Sequence, residues 1–185
     1  MVRRLSGAME STPLPVGFAK AYWVVPRLFL AGEHPADLND ELTAIRLGGL
    51  LDVGIRTFLD LTIEEEPPLY GRLLRNLAEE RGCEITLVRI GLRDMSVPSV
   101  LTIKRALDVI DGSIKDGAPV FLHCWAGLGR TGTVVGCYLQ RHGLTNSENV
   151  IGKIAQLRRF IAGPFDRSPQ TPEQVSRVKG WAKGE

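Results

Sequence analysis

A cysteine and an arginine separated by five residues are the pair in this chain best suited to chemistry. Cys124 and Arg130 lie in the run His123-Cys124-Trp125-Ala126-Gly127-Leu128-Gly129-Arg130-Thr131. A gap of five residues with two glycines lets the loop curl into a ring whose backbone N–H groups point inward, while the guanidinium closes the mouth. Because such a ring suits a phosphoryl dianion, the run predicts a phosphate-binding loop with a nucleophile inside it.

The residues on either side of this loop have the patterns of a strand and a helix. Residues 119–122 are a short apolar run, typical of a buried parallel strand, and residues 131–139 are typical of an apolar helix that begins at the loop. The positive end of that helix dipole faces the phosphate site and favours a thiolate at Cys124. The alternative is a buried cysteine in a glycine-containing turn.

The run from His123 to Thr131 resembles the signature of the cysteine-dependent protein tyrosine phosphatase superfamily, His-Cys-x-x-Gly-x-x-Arg-Ser/Thr, and matches every specified position. The resemblance implies that Cys124 is the nucleophile and that Arg130 holds two phosphate oxygens. It also implies that the backbone of the loop binds the phosphate, at Trp125, Ala126, Gly127, Leu128 and Gly129. Rhodanese-type sulfurtransferases have a loop with four intervening residues. Low-molecular-weight phosphatases and arsenate reductases carry theirs near the N-terminus, whereas this one lies two-thirds along the chain.

The same resemblance assigns supporting roles to further residues. His123 orients the loop and favours the thiolate, or is simply a packed imidazole at a strand end. Thr131 donates its hydroxyl to the cysteine sulfur, unless it only caps the helix. A glutamine near the last helix positions the hydrolytic water, and Gln174 is preferred to Gln170, although Thr171-x-x-Gln174 is also a capping box.

The leaving oxygen of a phosphate ester needs a proton, so the site requires an acid facing Cys124. Asp94 lies thirty residues before Cys124, between a predicted strand and a predicted helix. With Pro98 it resembles the general-acid loop of dual-specificity phosphatases, in which Asp-x-x-x-Pro recurs. The same carboxylate would then activate water to hydrolyse the cysteinyl phosphate. Asp60 is a distant second candidate, and a capping or turn role is the alternative for Asp94.

Strand and helix patterns alternate along the chain and predict an α/β fold with a mostly parallel central sheet flanked by helices, as in dual-specificity phosphatases. Residues 1–20 are predicted to be a flexible arm and residues 21–185 a single phosphatase domain. Ligands bind beyond the carboxyl ends of such strands, which places the loops after Leu61, Ile90 and Leu122 side by side.

Individual elements follow from periodicity and from glycine and proline. Two edge strands are predicted at 22–25 and 27–31, separated by Pro26. The first helix is predicted over 36–51, with Leu38, Leu42, Ile45 and Gly49 on its buried face. The remaining predictions are strands over 55–61 and 84–90 and helices over 69–81, 98–114 and 147–160, with a last helix from 172.

Composition excludes several classes of function. The 185 residues carry a net charge of only +2, have no long basic run and contain three scattered tryptophans, so no nucleic-acid partner is expected. No apolar stretch approaches the roughly 18 residues of a membrane span. The basic N-terminus lacks the apolar segment of a signal peptide, so a cytoplasmic location is predicted. Oligomeric state does not follow from the sequence.

Three cysteines are too few for a disulfide framework, which agrees with a reducing compartment. Cys83 could form a protective disulfide with Cys124, although a core thiol is the simpler interpretation, and Cys137 is interpreted as core. No metal and no cofactor are expected, because the motif supplies its own cation and nucleophile. The sequence shows no cluster of histidine and aspartate with metal-binding spacing.

The predicted function is that of a protein phosphatase acting on phosphotyrosine, with phosphoserine and phosphothreonine as further candidates, through a cysteinyl-phosphate intermediate. Trp125, Ala126, Leu128 and Gly129 include no lysine or arginine that would hold extra phosphates, and Trp125 can stack on an aromatic substrate. The acidic turn 64–66 either repels multiply charged substrates or is merely solvated. A phosphoinositide or inositol phosphate phosphatase and a phosphoresidue-binding pseudophosphatase remain alternatives. No segment corresponds to the one with which tyrosine-specific enzymes clamp the substrate ring.

Overall fold

A five-stranded sheet organises the chain in the computed structural model, which describes residues 13–18, 20–66, 69–161, 163 and 166–184. Its order is β1-β2-β5-β3-β4, with β1 antiparallel to β2 and every other neighbouring pair parallel. The predicted α/β fold with a mostly parallel sheet is therefore confirmed. The strands are β1 Ala21–Val25, β2 Phe29–Gly32, β3 Thr57–Asp60, β4 Thr86–Arg89 and β5 Val120–His123.

Helices cover both faces of this sheet, because successive strand residues point to opposite sides. Phe58 and Phe121 belong to one core and Leu59 and Leu122 to the other. The first core is covered by α1 Asp40–Asp52 and α2 Gly71–Glu80. The second is covered by α3 Val100–Lys115, α4 Gly129–Arg141, α5 Val150–Leu157 and α6 Pro172–Lys179.

Polar caps fix where three of these helices begin. The side chain of Asn39 accepts hydrogen bonds from the N–H groups of Glu41 and Leu42 at the start of α1, and Ser99 accepts from the N–H of Thr102 in α3. At α6, Thr171 and Gln174 form the capping box that the sequence predicts. These caps satisfy N–H groups that the first turn of a helix leaves without partners.

One of the predictions about packing is wrong, and a second is wrong in part. β2 is not an edge strand, because it pairs with both β1 and β5 and its four residues are all buried. The buried face of α1 is only partly the predicted one, since Gly49 is buried but Leu42 is half-buried and Ile45 is 48% exposed. Leu38, which is 96% exposed, lies before the helix begins at Asp40. The C-terminal half of α1 is apolar on more than one side. The side that packs against the sheet carries Thr43, Leu47, Leu50 and Leu51.

Part of the predicted N-terminal arm packs against the domain. The indole Nε1 of Trp23 donates to Pro13 O at 3.0 Å, and Arg46 Nε donates to Gly17 O at 2.9 Å. The ring of Phe18 contacts Phe121 edge to face, with 5.5 Å between centroids. Residues 1–12 and 19 lie outside the described residues. Within the described ranges, no helix is both long enough and apolar enough to cross a membrane.

Two helical glycines give a matched test of how tightly the second core is packed. A Cβ on Gly136 of α4 would lie 2.4 Å from Val178 Cγ1, whereas a Cβ on Gly112 of α3 would meet nothing within 4 Å. Gly136→Ala should lower the free energy of unfolding by about 1–3 kcal/mol, the usual cost of overpacking. Gly112→Ala should raise it by about 0.5–1 kcal/mol through helix propensity. Thermal unfolding of both variants measures this, and equal Tm values would contradict the packing described.

Candidate active site

The carboxyl ends of the parallel strands lie side by side at one edge of the sheet. Asp60 of β3 pairs in register with Arg89 of β4 and with His123 of β5. The pairing continues past the strands, because Leu61 N donates to His123 O at 2.9 Å and Leu92 N donates to Leu61 O at 3.0 Å. The three loops that the sequence places beside one another therefore meet at this edge.

The loop after β5 turns sharply at Gly127, whose φ of 70° lies in the left-handed region. A Cβ at this position would lie 2.7 Å from the carbonyl carbon of Gly32 and 2.8 Å from Glu33 N, so a side chain is excluded by both conformation and space. Carbonyl groups of the loop bond outward: Trp125 O accepts from His34 N at 2.9 Å, and Leu128 O accepts from Ser168 Oγ at 2.8 Å.

The N–H groups of the loop have no such partners. Among the described residues, none accepts a hydrogen bond from the backbone N–H of any residue from 125 to 130. Cys124, at the start of the loop, is 2% exposed. Helix α4 begins at Gly129, two residues before the predicted start at Thr131, so the dipole of a 13-residue helix is directed at the loop. Consecutive unpaired N–H groups at a helix N-terminus are an anion site.

Arg130 is 1% exposed and is held by a carboxylate that the sequence did not identify as its partner. Its Nη1 donates to Glu66 Oε2 at 2.6 Å and its Nη2 to Glu66 Oε1 at 2.8 Å. Nη1 also donates to Leu92 O at 3.1 Å. Hydrogen bonds from Arg130 hold the pKa of Glu66 below its usual value. Burial works against the charge of Arg130, but the bonds to Glu66 together with the nearby Cys124, Glu66 and Asp94 groups raise the pKa of the guanidinium.

This arrangement leaves the Nε side of the guanidinium without a hydrogen bond among the described residues, facing the carboxylate of Asp94. A guanidinium has five N–H donors in a planar fork, and three of the five in Arg130 are engaged by Glu66 and Leu92. The remaining two, on Nε and Nη2, lie parallel to each other, and Nε is buried without a hydrogen-bond partner in the described part of the chain. Asp94 Oδ1 lies 3.3 Å from Nε. A side-on pair of donors is suited to two oxygens of one phosphate.

Of the two candidate acids, the structure brings Asp94 to the mouth of the site and Asp60 behind it. The side chain of Asp94 is 59% exposed. Asp60 is fully buried; its Oδ1 accepts from the N–H and hydroxyl of Thr62, and its Oδ2 from Arg89. Burial alone would raise the pKa of Asp60, but His123, Thr62 and Arg89 together hold it below the usual value. Asp60 is thus an ionised structural carboxylate, unsuited to donating a proton.

His123 is a buried imidazole whose two nitrogens both have neighbours. Nε2 lies 2.6 Å from the hydroxyl of Tyr70, and Nδ1 lies 3.4 Å from Cys124 O. Burial lowers the pKa of His123 to about 3, so the ring is neutral near pH 7. His123 therefore supports the strand end behind Cys124 by packing and hydrogen bonding, without a positive charge to favour the thiolate.

The remaining predicted residues surround the loop. Thr131 Oγ1 is buried and has no hydrogen-bond partner among the residues described, so its bond to the Cys124 sulfur stays a prediction. Both candidate glutamines lie against the loop, because a Cβ on Gly129 would be 2.6 Å from Gln170 Oε1 and 3.1 Å from Gln174 Oε1. Trp125 is 47% exposed at the rim, and its ring lies 5.5 Å from that of His34.

The structure does not bring Cys83 and Cys124 together. Cys83 precedes the amino end of β4, whereas Cys124 follows the carboxyl end of β5, so the two thiols lie at opposite edges of the sheet. No disulfide joins any of the three cysteines, and Cys137 is fully buried. The protective disulfide considered from the sequence is therefore not supported by the fold.

A cluster with metal-binding side chains also lies behind the loop, although no sequence spacing indicates it. One ligand atom each from His34, Asp60 and His123 lie within 4.8 Å of one another. All three side chains already have hydrogen-bond partners: Ala36 N for His34, Thr62 and Arg89 for Asp60, and the Tyr70 hydroxyl for His123. A cation here would compete with the charge of Arg89, so the cluster fits a hydrogen-bonded support better than a metal centre.

The sequence places the acidic turn 64–66 after a strand but does not predict that Glu66 pairs with Arg130, and it does not point to Tyr70. Both residues follow β3. Glu66 faces Arg130, while Glu64 and Glu65 are exposed. The available signal was positional: polar side chains after a parallel strand lie at the binding edge of the sheet.

Comparisons with known proteins find a family model, similar sequences and similar folds. A family model described as "Polymorphic toxin system, DSP-PTPase phosphatase" matches residues 39–144. The chain is 44% identical over 93 residues to dual specificity protein phosphatase CDC14AB of Danio rerio, which covers 50% of this chain and 14% of that protein. The chain thus spans about a seventh of that relative's length.

Two solved structures share the fold. The active form of Tk-PTP superposes with a TM-score of 0.65 at 21% identity, covering 86% of this chain and 94% of that one. PTPMT1 in complex with PI(5)P superposes with a TM-score of 0.64 at 20% identity, covering 87% and 93%.

The neutral state of His123 can be measured directly. NMR titration of the ring nitrogens should show His123 neutral from pH 7 down to about pH 4, with protonation towards the pKa of about 3 that burial produces. An unfolded chain binds this proton below about pH 6.5. Stability should therefore fall as the pH is lowered from about 6.5 towards 3, because the unfolded state binds more protons there. A midpoint near 6.5 in the folded protein would contradict the arrangement.

Proposed function

The chain belongs to the DSP-PTPase phosphatase family, and we propose that it hydrolyses phosphate monoesters on protein side chains through a cysteinyl-phosphate intermediate. The observation that carries this proposal is the unpaired set of N–H groups at residues 125–130, next to Cys124 and to the side of Arg130 that makes no hydrogen bond within the described chain and faces Asp94. These donors match the oxygens of one phosphoryl group. The joint presence of Cys124, Arg130 and Asp94 favours turnover over mere recognition of a phosphoresidue.

In the first step the thiolate of Cys124 attacks phosphorus, and the bond to the ester oxygen breaks. The N–H groups of the loop, together with Nε and Nη2 of Arg130, hold the three remaining phosphoryl oxygens as negative charge develops on them. Asp94 gives its proton to the leaving oxygen, so that the alcohol or phenol departs neutral. Its contact with Arg130 Nε, at 3.3 Å, puts the carboxyl group at the edge of the phosphate site.

In the second step water attacks the cysteinyl phosphate. Asp94, now a carboxylate, takes a proton from that water, and the sulfur leaves as a thiolate with the hydroxyl of Thr131 turned towards it. For the water itself we favour Gln170 over Gln174. The side-chain oxygen of Gln174 already accepts from the N–H groups of Gln170 and Thr171, whereas Gln170 Oε1 lies over Gly129.

For the substrate we favour phosphoproteins, with phosphotyrosine accepted. The loop has no cationic side chain at positions 125–129, and Trp125 presents a half-exposed indole at the rim for an aromatic ring. Glu66 already engages two of the Arg130 nitrogens, and Glu64 and Glu65 are exposed on the same turn. Such a rim disfavours inositol phosphates, which carry several phosphate groups.

The role of Asp94 predicts a dependence on the leaving group. Asp94→Ala should lower kcat by roughly 10²-fold to 10⁴-fold for a phosphopeptide, the usual range for loss of a general acid. The loss should be smaller for an activated aryl phosphate, whose leaving group needs no proton. Steady-state kinetics with both substrates measures this, with Cys124→Ser as the inactive reference that should still bind the phosphopeptide. An equal loss on both substrates would show that Asp94 is not the acid.

The substrate preference predicts an order of kcat/KM values. A phosphotyrosine peptide should be turned over faster than a soluble phosphoinositide at fixed ionic strength, with a phosphothreonine peptide as the third substrate. The reason is that the rim offers an aromatic surface and carboxylates rather than extra cations. A tenfold preference for the phosphoinositide, about 1.4 kcal/mol of transition-state stabilisation, would overturn this assignment.

A further inference from the structure

The loop that carries Asp94 lies between β4 and α3, and hydrogen bonds hold it on both sides of that residue. On one side, Leu92 N donates to Leu61 O and Leu92 O accepts from Arg130. On the other side, Ser96 donates to Arg93 O through both N–H, at 3.3 Å, and hydroxyl, at 2.6 Å. Met95 sits between them with a φ of 57°, a left-handed conformation that is unfavourable for a methionine. Such a turn needs support from outside the loop.

Gln174 of α6 supplies a bond to this loop from the opposite side of the site. Its side-chain Nε2 donates to Ser96 O at 3.0 Å, across 78 residues of sequence. Its Oε1 accepts from Gln170 N at 3.1 Å and from Thr171 N at 3.3 Å. Gln174 is fully buried, so its amide is locked between these partners and solvent does not compete for them.

The same amide also borders the phosphate loop. A Cβ on Gly129 would lie 3.1 Å from Gln174 Oε1 and 3.3 Å from its Nε2, so the amide packs directly on the start of α4. One side chain thereby touches the acid loop, the segment with Gln170 and the phosphate loop. The distance from Asp94 to the phosphate site depends on all of these contacts.

We propose that Gln174 is a positioning residue for general-acid catalysis, which acts by holding the Asp94 loop over the phosphate loop. This inference rests on the proposed function, in which Asp94 is the acid. It differs from the role first considered for Gln174, positioning the hydrolytic water, because the oxygen that would hold water is bonded to the backbone. Loss of the bond to Ser96 should impair proton donation and leave phosphate binding unchanged.

Gln174→Glu removes the bond to the acid loop and keeps the other two. A carboxylate still accepts from the N–H groups of residues 170 and 171, but it cannot donate to Ser96 O. We expect kcat for a phosphopeptide to fall by roughly 10-fold to 100-fold, the cost of a misplaced catalytic group. The loss should be several-fold smaller for an activated aryl phosphate. In Gln174→Met, which adds no charge beside the phosphate loop, the inhibition constant of vanadate should be unchanged. Thr171→Ala is the matched control, since it removes the hydroxyl that accepts from Gln174 N without touching Ser96. Thr171→Ala should lower the free energy of unfolding, and any loss in kcat should be the same for the phosphopeptide and the activated aryl phosphate.

A double-mutant cycle makes the test decisive. If Gln174 acts through Asp94, adding Gln174→Glu to Asp94→Ala should change kcat less than twofold. A full additional loss in that background, or an equal loss for both leaving groups, would overturn the inference. Gln174→Met, which is similar in shape and makes no hydrogen bond through its side chain, provides a second variant should the glutamate fail to fold. If Asp94→Ala itself shows no dependence on leaving group, the proposed acid is wrong, an outcome distinct from failure at Gln174 alone.

Discussion

The burial of one positive charge, that of Arg130, sets the conditions that the rest of the site must meet. A guanidinium removed from water is costly unless most of its donors are satisfied. Glu66 and Leu92 O satisfy three of them, and these partners come from the loops after β3 and β4. The loops are therefore bound to the first turn of α4 by the charge itself. Because the Glu66 carboxylate binds the end of the guanidinium, the Nε side forms no hydrogen bond with the described residues and contacts the carboxylate of Asp94 at the mouth of the site.

A second layer of polar contacts lies behind the phosphate loop and keeps the strand ends in place. Asp60 binds Thr62 and Arg89, while His123 lies between Tyr70 and the carbonyl of Cys124. Apart from the exposed Arg89, each of these groups is buried, so replacing one partner leaves another unsatisfied. This layer explains how an irregular loop full of unpaired N–H groups is held in one shape.

Local signals in the sequence were sufficient for the strand, loop and helix around Cys124, the alternation of strands and helices, and the capping box at Thr171. They failed where tertiary contacts decide between equivalent options. The apolar residues of α1 allow more than one buried face, and the sheet with residues 13–18 decides which is used. The pairing of Glu66 with Arg130 spans 64 residues, and the cluster of His34, Asp60 and His123 joins three separate segments. No local pattern encodes such partners, and the cytoplasmic location stays a prediction.

The pairing of Glu66 with Arg130 also bears on how a substrate arrives. With the carboxylate in place, the charge of the guanidinium is balanced before any phosphate binds, so the empty site has little long-range pull on anions. What remains are the dipoles of the loop N–H groups, whose fields act over only short distances. Association is therefore governed by diffusion and docking rather than by electrostatic steering, and it should depend weakly on ionic strength. The site then distinguishes one anion from another by contact geometry, because the loop N–H donors are already placed to bind the oxygens of a tetrahedral group.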